Sequence, residues 1–150
     1  ERNTNFYILK KGIWRAYYMI DGTESSLWFA GTGEIGFSSW GYVNNEISQV
    51  NIESVNKSTA YCIAKPDLEE LFNSSIELSN FGRKIFEQEI LFIDSYTLSY
   101  STPSATERYL TLMEENPELL QYVPLKHLAS YLYITPQSLS RIRAGLKRRR

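Results

Sequence analysis

Cysteine and histidine are nearly missing from this sequence, since each occurs once in 150 residues. One cysteine, Cys62, excludes a disulfide framework and predicts a cytoplasmic protein. Its place in an alternating, strand-like stretch predicts a small buried thiol rather than a reactive one. One histidine, His127, leaves no partners for a histidine-rich metal site or a histidine-based triad. We therefore expect no enzyme, no metal and no cofactor, because an enzyme built on a β-roll of the cupin type would need clustered histidines.

Long apolar runs are missing as well. No run approaches the ~20 residues that a membrane helix needs, and no charged-then-apolar secretory signal opens the chain. The sequence is nevertheless 43% hydrophobic and 14% aromatic, so it can bury one full core and part of a second module. We expect a globular protein with no membrane partner.

Acidic residues are missing from one end of the chain. Residues 1–103 carry 8 Lys and Arg against 13 Asp and Glu, whereas residues 104–150 carry 8 against 4. The net charges are therefore −5 and +4. From Pro124 onward there are seven basic residues and no acid. This asymmetry favours contact with a phosphate backbone, although a solvated basic surface is the alternative on charge alone.

Short runs rich in β-branched and aromatic residues fill positions 6–63. The turn signals between them are Lys11-Gly12, Asp21-Gly22 and Gly31-Thr32-Gly33. Glycine, asparagine and aspartate accept the positive φ angles that hairpins require. The pattern predicts an antiparallel β-roll or barrel over residues 1–75. Because the first run begins so near the start, we expect the earliest strands of the roll to be absent from this sequence.

A long helix is predicted over residues 76–100, which would span about 37 Å at 1.5 Å per residue. It carries two apolar stripes, one made of Leu78, Phe81, Ile85, Phe92 and Tyr96, the other of Phe86, Ile90, Ile93 and Tyr100. One stripe can pack on the roll, and the second favours homodimerisation through this helix. Burial of both stripes within the same chain is the alternative. We assign residues 76–102 to this segment.

A third segment, residues 103–150, begins with the capping-box pattern Ser104-Ala105-Thr106-Glu107. Further on, apolar spacing predicts one short helix with Leu125, Leu128, Ala129 and Leu132 on one face, and a second with Leu139, Ile142 and Leu146. Thr135 is a suitable N-cap for the second helix, followed by Pro136 at its first position. Two short helices joined by a tight turn, within residues 124–146, indicate a helix-turn-helix.

The outward face of the second helix has the chemistry of a DNA reader. Gln137 can pair with adenine and Arg141 with guanine, while Ser138 can contact bases or phosphates. The remaining basic residues are expected to contact phosphates, which position a protein without reading sequence. The predicted DNA-binding set is Thr135, Gln137, Ser138, Arg141, Arg143, Lys147 and Arg148. A helical hairpin with polar outer faces is the alternative on spacing alone.

Four stretches, residues 104–110, 116–119, 123–132 and 134–143, together resemble the Crp/Fnr family of bacterial regulators, and most of all the branch common in Bacteroidetes. The family resemblance implies an α+β fold with a cyclic-nucleotide-binding-like β-roll of the double-stranded β-helix type. A long dimerisation helix and a C-terminal winged helix-turn-helix would follow. It also implies a cytoplasmic homodimer that regulates transcription by binding a palindromic operator in double-stranded DNA, with RNA polymerase as a further candidate partner.

Two departures from the family pattern stand in the last segment. Tyr133 occupies a turn position where the family often has glycine, and a glycine-like backbone angle would cost tyrosine about 1 kcal/mol. The sequence also ends at Arg150, soon after the second helix. We therefore expect a slightly reshaped turn and a shortened wing.

The predicted roll carries half of the phosphate cassette of cyclic-nucleotide-binding relatives. Gly33 and Glu34 match its first part, but the expected arginine would fall near Ser48, and no arginine lies between positions 15 and 83. Lys57 could substitute only in a very different alignment. Without a guanidinium a buried phosphate lacks its strongest hydrogen bonds, so we predict a regulator that does not respond to cyclic AMP.

Two possibilities remain open for the roll, namely a different small ligand or no effector. Its tryptophans, Trp14, Trp28 and Trp40, are expected to be core residues rather than a ligand box. The alternative function is a small-ligand-sensing regulatory module that acts through a protein partner.

Overall fold

The computed structural model describes residues 2–101 and 104–147, with the side chains of residues 99–101 excepted. The strands are β1 Phe6–Lys11, β2 Trp14–Ile20, β3 Thr23–Ala30, β4 Ile35–Phe37, β5 Asn51–Ser54 and β6 Thr59–Ile63. The helices are α1 Ser39–Asn44, α2 Lys65–Ser74, α3 Ile76–Ser101, α4 Ala105–Glu115, α5 Leu119–Tyr122, α6 Leu125–Tyr131 and α7 Pro136–Lys147.

The strands form two antiparallel three-stranded sheets, with the orders β4-β1-β6 and β3-β2-β5. Asp21 and Gly22 join β2 to β3 with φ angles of 49° and 76°, and Ile20 pairs with Thr23 across this two-residue turn. Positive φ at both central residues is what a type I′ hairpin requires. The predicted antiparallel sheets and the turn at Asp21-Gly22 are therefore confirmed.

The first half of α3 packs on the sheet that contains β1. Phe86 approaches Phe6 and Phe37, with ring centroids 6.3 and 6.0 Å apart, and Ile85 packs on the same cluster. Gly82 faces α2, where a Cβ would lie 2.5 Å from the ring of Phe72. The small residue lets the two helices approach closely.

The division of α3 into a roll-facing and a partner-facing stripe is wrong in detail. Ile85 of one predicted stripe and Phe86 of the other both pack on the roll, so the face of α3 that meets the roll includes residues of both stripes. Ile90 and Ile93 are about 60% exposed in the described chain, so the two stripes are not both buried within it. Tyr100 belongs to the side chains outside the description.

Cys62 is exposed rather than buried. It lies on β6, which pairs with β1 and stands at the end of its three-stranded sheet. Successive side chains of a strand point to opposite faces, and Tyr61 and Cys62 are both exposed, so neither face of β6 is covered at this point. The alternating pattern predicted the strand correctly and the burial wrongly.

The C-terminal helices share a core with the roll. The capping box of α4 is formed, since Glu107 Oε2 accepts from the backbone N–H of Ser104 at 2.6 Å and Ser104 Oγ accepts from that of Glu107. The cluster beyond it joins Ile13 and Phe29 of the roll to Tyr109, Leu112, Leu119, Val123, Leu128, Ala129, Leu132 and Leu139. The segment after α3 is therefore packed onto the sheets.

Within the described ranges, no helix has both the length and the hydrophobicity that crossing a bilayer requires. The same residues contain no group of three histidine, cysteine or acidic side chains arranged to hold a metal ion. The predicted wing stays a prediction, because the description ends within α7 at Lys147.

Candidate DNA-binding helices and the cavity beside them

A tight turn joins α6 to α7. The backbone N–H of Tyr133 donates to Ser130 O at 3.1 Å, and that of Ile134 donates to Ala129 O at 3.0 Å. These two bonds are the pattern of a Schellman motif, which needs a left-handed residue after the helix. Tyr133 takes that conformation with φ of 55°. The expected reshaping of the turn is therefore wrong: Tyr133 keeps the left-handed angle that glycine would take, and tyrosine bears its cost.

Apolar side chains fix the angle between the two helices. Leu128, Ala129, Leu132 and Leu139 are almost completely buried, and Ile142 and Leu146 pack against them. Thr135 caps α7, because its Oγ1 accepts from the backbone N–H of Ser138 at 3.2 Å. Pro136 follows as the first helical residue, as the sequence predicts.

The face of α7 opposite Leu139 carries the predicted base readers. Gln137 and Arg141 are exposed, and Ser138 is half-exposed. Arg141 Nη2 donates to Ser138 Oγ at 3.4 Å, and Thr135 Oγ1 bonds the same hydroxyl at 3.0 Å. These polar groups therefore form one continuous strip along the outer side of the helix.

The basic residues of the predicted set are placed differently. Arg143 lies one turn after Leu139, on the side of α7 that faces the core, and is half-exposed. Lys147, at the end of the description, is exposed. Arg148 lies outside the described residues.

A cavity of about 950 Å³ lies between part of the roll and α3. Its aromatic walls include Trp28, Phe37 and Trp40 from the roll and Phe92 from α3. The expectation that the tryptophans are core residues is wrong, since Trp28 and Trp40 are half-buried and both line the cavity. Trp14 is also half-buried, and its Nε1 donates to Ser58 Oγ at 2.9 Å.

Gly33 and Glu34 both line this cavity. Gly33 has φ of 89°, and Glu34 Oε2 accepts from the backbone N–H of Gly31 at 2.6 Å, so the loop is held in place. Ser48 and Lys57 are not among the lining residues, and neither lysine, arginine nor histidine occurs in the described lining. The cationic half of a phosphate cassette is therefore missing from the described wall.

A second carboxylate faces the same space from α3. Burial raises the pKa of Glu89 above its ordinary value, and the charge of Glu34 raises it further. Both carboxylates line the cavity. Sequence reasoning missed Glu89, although its position between Phe86 and Ile93 on an apolar side of the helix was a usable signal.

The turn between α6 and α7 reaches the cavity wall. Tyr133 and Tyr96 both line the cavity, and their hydroxyl oxygens lie 3.0 Å apart. The ring of Tyr96 also stacks on Tyr131, with centroids 5.4 Å apart. Burial raises the pKa of Tyr131 to about 12. No periodic pattern in the sequence links these three tyrosines, because the contact crosses from α3 to the helical turn.

A buried arginine joins the roll to α6. The Arg15 side chain is fully buried, its Nε donates to Ser26 Oγ at 2.8 Å, and its Nη1 donates to Glu24 and Glu53 at 3.0 and 2.8 Å. The same Nη1 lies 3.4 Å from Nε2 of His127 on α6. This cluster was not predicted, and an arginine inside an apolar strand run was its only signal.

Hydrogen bonds between β3 and α6 complete the junction. The backbone N–H of Ser26 donates to Ser130 Oγ at 3.1 Å, and Ser26 Oγ donates to the carbonyl of His127 at 3.1 Å. Burial lowers the pKa of His127, and the charges of Arg15 and Lys126 lower it further.

Comparison by sequence gives no match to a protein-family model and none to a curated protein. Solved structures do match over almost the whole chain. FixK2 from Bradyrhizobium japonicum has a TM-score of 0.83 and 17% identity, over 99% of this chain and 77% of that one. A transcriptional regulator of the CRP family from Thermus thermophilus has a TM-score of 0.76 and 16% identity, over 99% and 78%.

A third structure comes from Eubacterium rectale and is assigned to the Crp/Fnr family of transcriptional regulators. It has a TM-score of 0.69 and 16% identity, over 96% of this chain and 69% of that one. The narrower resemblance to the Bacteroidetes branch stays a prediction. At these identities the likeness concerns architecture, and the chain has the fold of Crp/Fnr-type transcriptional regulators.

Proposed function

We propose that the chain is a sequence-specific transcriptional regulator that binds double-stranded DNA through α7. The observation that carries this proposal is the pair Gln137 and Arg141, both exposed one turn apart on a helix whose opposite face is fixed by Leu139. A helix of this size fits the major groove, N-terminus first.

Each residue has a role that follows from its chemistry. Gln137 and Arg141 read base edges, adenine and guanine being their preferred bidentate partners. Ser138 contacts a base or a phosphate, and Thr135 orders the first turn by accepting from the backbone N–H of Ser138. Arg143, Lys147 and Arg148 would contact phosphates.

The active form is proposed to be a homodimer formed through α3. Ile90, Leu91 and Leu98 are each about 60% exposed on this helix, and none of them lines the cavity. A two-fold pair would present its α7 helices to half-sites about one DNA turn, ~34 Å, apart. The operator is then palindromic. We also propose that the dimer contacts RNA polymerase, and we assign no residues to that contact.

The regulator is proposed not to respond to cyclic AMP. A cyclic phosphate in this cavity would face Glu34 and Glu89 rather than a guanidinium. Arg15, the arginine nearest in sequence to Ser48, forms ion pairs with Glu24 and Glu53. Repulsion between like charges makes such a site unfavourable for an anion.

Selection of bound sequences from a random DNA duplex pool tests the function. We expect enrichment of one palindrome by the full chain. The Arg141→Ala variant should relax selection at one base pair of each half-site, while Arg83→Ala, an exposed arginine on α3, should select the same palindrome as the wild type. Failure to enrich any sequence would contradict the proposal.

The cavity favours a second candidate function, a ligand-sensing module that acts through a protein partner. It would bind a small molecule and select no DNA. The same experiment separates the two candidates, since enrichment of a duplex is expected only of the first.

A further inference from the structure

The cavity between the roll and α3 has a size and a wall suited to a small organic molecule. Its volume of about 950 Å³ lies in the range typical of ligand sites, roughly 300 to 1,000 Å³. Trp28, Trp40 and Phe92 supply flat apolar surface, and Asn44 and Gln88 add a few polar groups. Such walls favour a ligand with an aromatic or otherwise apolar body.

The charges of the wall have one sign. Glu34 and Glu89 both line the cavity, and no cationic side chain does so among the residues that the structure describes. Glu89 is half-buried on α3 and responds to the charge of Glu34. Two carboxylates that line one cavity repel each other, although Glu34 is exposed and only Glu89 is partly buried, and a bound cation would relieve that repulsion.

Aromatic rings beside the carboxylates favour the same kind of ligand. An organic cation is attracted to the faces of tryptophan rings, and its affinity grows when water is excluded. The ring of Trp28 and that of Trp40 both line the cavity that contains the two carboxylates. A hydrophobic cation is therefore the ligand for which both features are favourable.

Tyr133 connects the cavity to the helical turn. It lines the cavity, contacts Tyr96 through its hydroxyl at 3.0 Å, and has the left-handed backbone of the turn that orients α7. A ligand in the cavity therefore meets a residue whose backbone belongs to the proposed DNA-binding unit. Close-packed neighbours transmit displacements of this kind.

We propose that this cavity binds an organic cation with an aromatic or apolar body, and that Tyr133 transmits its binding to α7. The ligand class rests on the cavity alone. The effect on DNA rests on the proposed function.

Isothermal titration of the full chain tests the ligand class. The probes are benzyltrimethylammonium, its neutral analogue benzyl alcohol and its anionic analogue phenylacetate. Benzyltrimethylammonium should bind most tightly and phenylacetate least. Glu34→Gln and Glu89→Gln should each weaken binding of the cation by about tenfold, whereas Glu77→Gln, an equal change of charge on the exposed start of α3, should leave it unchanged.

Tyr133→Gly tests the transmission, because glycine keeps the left-handed turn and removes the side chain from the cavity. In the wild type, benzyltrimethylammonium should change the affinity for the selected DNA by about fivefold or more. In Tyr133→Gly the cation should still bind, and the affinity for DNA should no longer depend on it.

Each contrary outcome identifies what fails. Absence of binding by all three probes at millimolar concentrations overturns the ligand site, and phenylacetate binding as tightly as the cation overturns its chemical class. An unchanged response in Tyr133→Gly overturns the role of that residue. Absence of DNA binding by the wild type overturns the proposed function, while the titrations still decide the ligand site.

Discussion

Glu89 is a carboxylate on an otherwise apolar side of α3, where burial disfavours its ionised form. When the pKa of a carboxyl group is raised in the folded state, the free energy of unfolding falls as the pH rises through that pKa. The folded chain is therefore less stable at neutral pH than it would be with an uncharged side chain at position 89. A residue kept at such a cost is a candidate for ligand contact.

Glu89→Gln should raise the melting temperature at neutral pH, because the amide is not ionised. The gain should vanish at acid pH, where the carboxyl is protonated in both the folded and unfolded chain, and appear as the pH rises above the ordinary glutamate pKa. Circular dichroism melts over a pH series measure it. Glu77→Gln is the exposed control, and an equal gain in both variants would contradict the prediction.

His127 is predicted to be neutral at neutral pH. Its Nδ1 lies 3.7 Å from Glu24 Oε2, and the charges of Glu24 and Glu53 favour protonation. Burial, together with Arg15 at 3.4 Å and Lys126, disfavours it and prevails. Because the pKa of His127 is lowered in the folded chain, the stability that neutral His127 contributes is present above the ordinary histidine pKa of about 6.5. It is lost as the pH falls below that value.

Urea unfolding over this pH range measures the loss. We expect the free energy of unfolding to fall as the medium becomes more acidic, and His127→Gln to flatten that dependence. Because the sequence contains one histidine, any histidine contribution to this pH dependence comes from His127. A variant that keeps the full dependence would show that carboxyl groups cause it.

At the scale of elements, α7 offers two substitutions with different signatures. Arg141→Ala should cost about 1 to 3 kcal/mol on the selected operator and much less on random DNA. Lys147→Ala should weaken binding equally on both and lower the slope of log affinity against log salt by about 1. Fluorescence anisotropy at several salt concentrations measures both. Equal losses on both DNAs for Arg141→Ala would make it a phosphate contact.

Elements with local causes were predictable. The Ser104 capping box, the Asp21-Gly22 turn and the long helix from Ile76 each depend on residues a few positions apart. The face of α3 that packs was not predictable, because a helix apolar on several sides does not specify which side meets a sheet. The burial of Cys62 failed for the same reason, since an alternating pattern does not specify which faces of a strand are covered.

On the scale of the whole molecule, the homodimer predicts a simple dissociation test. Leu91→Glu with Leu98→Glu should convert the dimer to a monomer, because four carboxylates would meet across a two-fold pair of α3 helices. Sedimentation equilibrium measures the mass. Ile20→Glu with Ile47→Glu, two exposed apolar residues outside α3, is the matched control. A wild-type monomer at all concentrations would contradict the homodimer.

Contacts between distant residues lay beyond sequence reasoning. Arg15 and His127 are 112 positions apart and Ser26 and Ser130 are 104 apart, and no periodicity connects them. The cavity is also a product of tertiary packing. Gly33 and Glu34 were predicted as candidates; the sequence marked Glu89 as an acid on an apolar helix side, but only the placement of α3 beside the loop shows that the two glutamates line one cavity.

Strand β3 contributes both to the wall of the cavity and to the packing of the C-terminal helices on the roll. Leu27, Trp28, Phe29 and Ala30 line the cavity, whereas Ser26 holds α6. Phe29 also packs on Tyr131, with ring centroids 5.2 Å apart. Unfolding of either region would expose apolar side chains of the other to water. The chain should therefore give one calorimetric transition, and a small molecule that stabilises the roll should also slow proteolysis within α7.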